Sequence, residues 1–289
     1  MLPTIAIQGF EGSFHQVAAR QYFGAEHALA TCATFGQVVR HVVGGTADYG
    51  LMAIENSLAG SILPNYALLQ KNDVEVIGEV YLHIRQHLMA LPGQSLDDLH
   101  EVHSHPMALL QCADFLGSYG HWRLVEAEDT ALSAQRIREH QRPGIAAVAG
   151  TLAAEIYDLE IVAADIHAEP ANYTRFLVLE RLNPSRPLAA DATKASLYFH
   201  TSHAQGSLVK VLECIAGLGL NLSKLQSYPR PGRTWQYGFH ADVEFDAPEQ
   251  LTTLLREMAP VTESLHVLGA YRRGQMEQVP AHSVSSAVL

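Results

Sequence analysis

The chain is short of positive charge. Its 289 residues carry 19 Lys and Arg against 30 Asp and Glu, a formal net charge of −11 with histidine neutral. That deficit argues against a nucleic-acid partner, because affinity for phosphate backbones comes mainly from Lys and Arg. Cysteine is scarce as well. Cys32, Cys112 and Cys214 are an odd set without a C-x-x-C pair, which excludes a disulfide scaffold and fits reduced thiols in a cytoplasmic protein. No window approaches the ~18 apolar residues of a membrane span. The basic stretch of a secretion signal is missing, since Met1-Leu2-Pro3-Thr4 leads straight into Ile5-Ala6-Ile7. Histidine is plentiful, but His100, His103 and His105, or His83 and His87, are not completed by a Cys or carboxylate at zinc-like spacing. No metal is expected.

What the chain does have is alternation. Residues 4–8 are a short apolar run ending at Gly9, and 13–23 read as the helix after it, with Ser13 as N-cap. Strands are expected over 48–54 and 74–80, then over 86–91 and 101–104 in a second unit. A helix over 106–116 starts with Pro106 in its first turn. Strand 122–126, helix 130–138, strand 145–148, helix 151–157 and strands 161–164 and 175–179 complete the pattern. It reads as α/β with largely parallel sheets. Asn183-Pro184-Ser185-Arg186-Pro187 is a linker by composition. Beyond it, strand 194–200, helix 207–218, strands 220–228 and 237–245, helix 248–258 and strand 265–271 give the order β-α-β-β-α-β. That is a ferredoxin-like split unit of about 75 residues. From 275 onward no period is visible, and a mobile tail is expected.

Two polar clusters sit at the ends of apolar runs. Asn172-Tyr173-Thr174-Arg175 opens the run Phe176-Leu177-Val178-Leu179, and Glu55-Asn56-Ser57 closes the run from Tyr49 to Ile54. Together they suggest a small anionic substrate held between strand ends. Taken singly each has a plainer reading: Thr-Arg as β-propensity with a solvent-facing charge, and Glu-Asn-Ser as a helix N-cap with an acidic neighbour. Gly9 and Gly12 mark a turn, and the helix start after them could offer N–H groups to a carboxylate. A G-x-x-G pair alone does not bind a dinucleotide.

Four motifs in this order carry a family resemblance. They are Gly9-Phe10-Glu11-Gly12-Ser13-Phe14, Glu55-Asn56-Ser57-Leu58-Ala59-Gly60, His105-Pro106-Met107-Ala108-Leu109-Leu110-Gln111-Cys112, and Asn172-Tyr173-Thr174-Arg175-Phe176. The chain resembles prephenate dehydratases with a C-terminal ACT regulatory domain, and the likeness runs from Thr4 to Tyr271. It implies a two-lobed, periplasmic-binding-protein-like α/β catalytic domain over 1–183, its second lobe at about 80–158 inserted within the first. A linker over 184–193, an α+β ferredoxin-like ACT domain over 194–272 and a tail over 273–289 would follow. No helical segment precedes Thr4, where bifunctional members carry a chorismate mutase, so a monofunctional version is expected.

The implied reaction is the decarboxylating dehydration of prephenate to phenylpyruvate, without a cofactor. On this reading Thr174 hydrogen-bonds or protonates the departing hydroxyl, with Glu55 or a water as partner. Arg175 would pin a carboxylate, that of the pyruvyl arm rather than the one lost. Asn56, Ser57 and Ser13 would add neutral hydrogen bonds, and Phe176 and Phe14 would wall the ring. In the second domain Gly206-Ser207-Leu208-Val209-Lys210-Val211-Leu212 is similar to the family's G-A-L-x-x-x-L, implying a phenylalanine site of Gly206, Ser207, Leu208, Asn221, Gln226 and Ser227. The family's E-S-R-P reads Gln226-Ser227-Tyr228-Pro229 here, so an acidic and a basic side chain are lost from it. Phenylalanine is the expected effector, and a homodimer or homotetramer the expected assembly. Arogenate in place of prephenate, or a non-catalytic small-molecule binding module, are the alternatives.

Overall fold

A computed structural model describes residues 2–230 and 232–276. The expected tail therefore lies, from residue 277 on, outside the described residues. No helix among the described residues is long and apolar enough to cross a membrane.

The first lobe is built on strands β1 (Thr4–Gln8), β2 (Ala28–Cys32), β3 (Tyr49–Asn56), the short β4 (Gly60–Ser61) and β5 (Val74–His83). Helices α1 (Phe14–Phe23), α2 (Phe35–Val43) and α3 (Leu63–Lys71) connect them. The chain then leaves to form the second lobe: β6 (His87–Ala90), β7 (Glu101–Ser104), α4 (Pro106–Gln111), α5 (Ala113–Gly117), β8 (Arg123–Glu126), α6 (Thr130–His140), β9 (Ile145–Ala149), α7 (Thr151–Tyr157) and β10 (Glu160–Ala163). It returns as β11 (Tyr173–Arg181), which completes the first sheet in the order β2-β1-β3-β11-β5. The second lobe thus starts after His83 and ends at Ala163, later at both ends than the expected 80–158. The cause is β5, a ten-residue strand paired along its length with β11.

The sheets are mixed rather than largely parallel. β11 runs antiparallel to both of its neighbours, β3 and β5, because it enters from the far lobe. In the second sheet, ordered β10-β6-β9-β7-β8, the strand β6 runs against β9 and β10 for the same reason. Segments β2, α2 and α3 had no counterpart in the sequence reading. β2 is a half-exposed edge strand of mostly small residues, and the β-branched valines of α2 lower its helix propensity although Val38, Val39 and Val42 share one buried face.

Strand β11 alternates between two cores. Phe176 and Val178 pack with Ile5, Ile7 and Phe14, while Leu177 and Leu179 pack with Val39, Met52 and Tyr271 on the opposite face. Beneath Phe176 lies His15, with ring centroids 4.9 Å apart. Its Nε2 is buried and has no hydrogen-bond partner among the described residues. Burial lowers its pKa from 6.5 to about 4. The unfolded chain therefore takes up a proton that the fold refuses. Stability is fully present above pH 6.5 and drains away as pH falls toward 4. Replacing His15→Phe is expected to stabilise the protein by about 1–3 kcal/mol, with the larger gain at pH 5. Urea midpoints at pH 5 and pH 8 check this; a gain independent of pH would contradict it.

The third unit is β12 (Lys194–His200), α8 (Ser207–Gly217), β13 (Asn221–Pro229), β14 (Tyr237–Glu244), α9 (Pro248–Met258) and β15 (Ser264–Tyr271). Its antiparallel sheet, in the order β13-β14-β12-β15, has the ferredoxin-like arrangement. One face packs Leu197, Phe199, Ala241 and Val243 under the two helices. The polar face, with Lys194, Ser196, His240 and Asp242, does not meet water. It is buried against the first lobe.

Candidate active site

The carboxyl ends of β1 and β3, the start of β11 and the end of β5 all lie at one end of the first sheet. The second sheet presents its corresponding end, with Ser104-His105, Gly150-Thr151 and the start of β6 at His87. In open α/β sheets ligands bind outside such strand ends. The lobes approach each other through the turn after β1. A methyl group on Gly12 (φ +82°) would lie 2.9 Å from Ala153 Cα, so only glycine permits this contact. The Tyr157 hydroxyl closes it by donating to Glu11 O at 2.9 Å.

Within the cleft the best-defined cluster is Asn56, Asn172 and Thr174. Thr174 lies opposite Asn56 across β11 and β3. The Asn56 side-chain amide donates to Asn172 Oδ1 at 2.8 Å, Tyr173 O at 3.1 Å and Thr174 Oγ1 at 3.0 Å. Its carbonyl oxygen accepts from Leu58 N and Ala59 N, both at 2.9 Å. Its two N–H groups are shared among three acceptors and both lone pairs of its oxygen are engaged, so the amide orientation is fixed. Thr174 Oγ1 accepts from it, so the hydroxyl proton is free to point elsewhere. The Asn172 Nδ2 is buried without an acceptor among the described residues. A buried amide in that condition costs roughly 1–3 kcal/mol, so it calls for a functional account. Ser57 fastens the same loop: its Oγ donates to Ala171 O at 3.0 Å and accepts from Tyr173 N at 2.9 Å.

Ser13 caps α1, and its hydroxyl sits beside Gly9 (φ +101°), where a methyl would meet Asp129 Oδ2 at 3.0 Å. Asp129 was not among the expected site residues. It caps α6 through Leu132 N at 3.0 Å and turns its other oxygen to the Gly9 turn. Burial raises its pKa against the opposing pull of the Leu132 and Ala131 amides and of His105. The Asp-Thr step before a helical period was the available signal. Phe14 is half-buried and borders a cavity of about 290 Å³ with Val17, Thr151 and Leu152.

Three expected site residues are elsewhere. Arg175 does not face the cleft, because alternation along β11 sends it to the side opposite Thr174. There it is buried, with Nε donating to Glu79 at 2.7 Å, Nη2 to Tyr271 at 3.1 Å and Nη1 to Asp242. It holds the first lobe to the third unit and is not available to a substrate carboxylate. Glu55, opposite Arg175 in register, points the same way and is bound by Lys224 of β13, so it is no partner for the Thr174 hydroxyl. Phe176 is 1 % exposed and belongs to the core under His15 rather than to a cleft wall.

A threonine–imidazole pair also borders the cleft. Thr151 Oγ1 lies 3.1 Å from His87 Nε2. His87 Nδ1 accepts the backbone N–H of Asp165 at 3.0 Å, so Nε2 carries the proton and donates to Thr151. His87 is therefore not set up as a base that would make Thr151 a nucleophile.

In the third unit, Gly206, Ser207 and Leu208 begin α8, and Ser207 Oγ donates to Ser202 O at 2.7 Å. Ser207 and Leu208 border a cavity of about 320 Å³ with Gln236 and Phe239; Phe239 is the register partner of Ser227. Asn221 is at the other end of α8 and donates to Glu244 at 2.8 Å. Eleven helical residues separate the two ends, about 16 Å at 1.5 Å each, so one chain does not bring this expected set together. Gln226 bonds to Ser227 O at 2.8 Å. Tyr228, in place of the arginine, sets its hydroxyl 3.3 Å from His200 Nε2 and its ring 5.1 Å from that of His240.

The sequence model of the prephenate dehydratase family matches residues 5–184. The bifunctional chorismate mutase/prephenate dehydratase of Escherichia coli K12 is 31% identical over 274 residues, covering 92% of this chain and 70% of that protein. A protein of Komagataeibacter europaeus, described as a bifunctional N-acyl-homoserine lactone acylase/prephenate dehydratase, is 33% identical over 278 residues, 96% of this chain and 98% of that one. The crystal structure of prephenate dehydratase from Arthrobacter aurescens in complex with L-Phe is 26% identical, with a TM-score of 0.83 over 93% of this chain and 90% of that one.

Proposed function

We propose, since this chain belongs to the prephenate dehydratase family, that its cleft converts prephenate to phenylpyruvate, CO2 and water. The Thr174 hydroxyl, held by Asn56, is the observation that carries this reading. The bond to the ring carboxylate breaks, its electron pair enters the ring, and the hydroxyl para to it departs. One proton is consumed as that hydroxyl leaves as water. Hydroxide leaves poorly, so a donor at the oxygen lowers the barrier. Electrons are supplied by the carboxylate that is lost, so no net oxidation occurs. With Arg175 committed elsewhere, neutral donors of the cleft, Ser13 and the free amide N–H of Asn172 among them, are open to the carboxylates, and Arg20 and Arg85 line the cavity beside Phe14. Weak neutral contacts suit a substrate that must shed one carboxylate, since holding it tightly would favour the ground state.

The third unit serves in this reading as an ACT-type regulatory domain answering phenylalanine, in a cytoplasmic homo-oligomer. The ferredoxin-like strand order and the Gly206-Ser207-Leu208 helix start support it. The separation of Asn221 from those residues favours a site completed by a second copy, each copy giving one end of α8.

Phenylpyruvate formation from prephenate, followed by its enolate absorbance in alkali with and without phenylalanine, tests both halves. Turnover suppressed by phenylalanine is the expected result. Phenylalanine formed from arogenate, with prephenate inert, would move the substrate assignment. No product from either would overturn the enzymatic reading.

A further inference from the structure

Two cross-strand pairs lie one residue apart at the mouth of the cleft. On the cleft face Thr174 opposes Asn56, and on the far face Arg175 opposes Glu55. Both members of the far pair are gripped by the third unit. Asp242 and Tyr271 hold Arg175, and Lys224 holds Glu55. Lys224 also donates to Ser61 Oγ at 2.7 Å. Ser61 is on β4, where Gly60 and Ser61 pair with Asn56 and Glu55. One cation from the third unit therefore ties the end of β3, which carries Asn56, to β4 beside it.

We infer that Lys224 is a positioning residue for the reaction: through Glu55 and Ser61 it fixes the Asn56 backbone, and Asn56 aims the Thr174 hydroxyl. This rests on the dehydratase reading above. The clamp is well placed to act at a distance. The five bonds of Asn56 leave little slack, and hydrogen bonds weaken steeply once bent or stretched. Lys224 is 16 % exposed, so its attraction to Glu55 is only partly screened by water. It projects from β13, the edge strand that also carries Gln226 and Ser227. Any ligand that shifts β13 relative to the first lobe would pull on Glu55 directly.

The test compares full-length wild type, Lys224→Met and Lys224→Arg in prephenate turnover. Amide hydrogen exchange of residues 55–57 and 172–174 is measured on the same samples. Lys224→Met should lower kcat about tenfold with KM within twofold, and speed exchange in both segments. Lys224→Arg, which keeps the charge and reach, should recover most of both. Unchanged kcat and exchange in Lys224→Met, beside an active wild type, would overturn the proposal while leaving the dehydratase reading intact. So would a change confined to KM, or earlier melting with normal kcat in the folded fraction. Should wild type fail to act on prephenate, the dehydratase reading falls. Exchange then decides the clamp alone: faster exchange in Lys224→Met but not Lys224→Arg supports it, and unchanged exchange overturns it.

Discussion

Replacing Thr174 by alanine is expected to lower kcat for prephenate by about 10²- to 10⁴-fold, the usual worth of a positioned proton donor. Thr174→Ser should keep most of the activity. The expectation rests on where the hydroxyl proton can go. Asn56 donates to Thr174 Oγ1 at 3.0 Å and is itself locked by Asn172, Tyr173, Leu58 and Ala59. An oxygen already accepting a bond is polarised toward giving its own proton. Alanine removes that donor and leaves Asn172 Oδ1 and Tyr173 O to take the two Asn56 N–H groups, at a stability cost of only about 1 kcal/mol. The loss should therefore appear in turnover and not in folding. Single-turnover phenylpyruvate formation and a melting curve separate the two, and full turnover in a folded Thr174→Ala protein would remove Thr174 from the mechanism.

Its neighbour should behave in the opposite way. Arg175→Ala is expected to destabilise the protein by about 3–5 kcal/mol, the cost of removing one partner from a buried ion pair. Glu79 would retain Lys194 at 3.1 Å, but Asp242 would be left with Ser196 as its close hydrogen-bond donor. Lysine should rescue only partly, since it lacks the fork that lets Arg175 reach Glu79, Asp242 and Tyr271 at once. Urea denaturation of wild type, Arg175→Lys and Arg175→Ala should rank them in that order. A raised KM with unaltered stability would return Arg175 to the substrate. Acid should act on the same network. Burial pushes the Asp242 carboxyl up, but the charge and hydrogen bond of Arg175, helped by Ser196 and Lys194, outweigh it and leave its pKa below the ordinary 3.8. Its contribution is thus present above pH 3.8 and is lost only as pH falls through the lower folded value.

The contrast between these adjacent residues marks how far sequence reading reached. The helix cap at Ser13, the turn at Gly9 and Gly12, the β-α-β-β-α-β order and the cluster around Thr174 follow from local chemistry, and that chemistry is written in consecutive letters. The fates of Arg175 and Glu55 are not. A strand alternates its faces with period two, but nothing in the letters says which face meets a cleft and which meets another domain. The same limit applies to Lys194 and His240. They share the polar face of the third sheet, and that face is buried on Tyr66, Gln70 and Glu79, with His240 bonded to Gln70 at 2.6 Å. A polar surface satisfied by partners from 100 residues away looks, in sequence, like one satisfied by water.

The position of β11 between β3 and β5 has a bearing on biosynthesis. The ribosome finishes β5 at His83 and does not begin β11 until Tyr173. At 5–20 residues per second that is a delay of roughly 5 to 20 s. Throughout it the half-made first sheet lacks its keystone, leaving a slot about 10 Å wide, two strand spacings, between β3 and β5. The last strand to arrive is the one bearing Thr174. The nascent chain must therefore shelter two open strand edges while the whole inserted lobe is made, and the pairing of Thr174 with Asn56 comes into being only when that slot is filled.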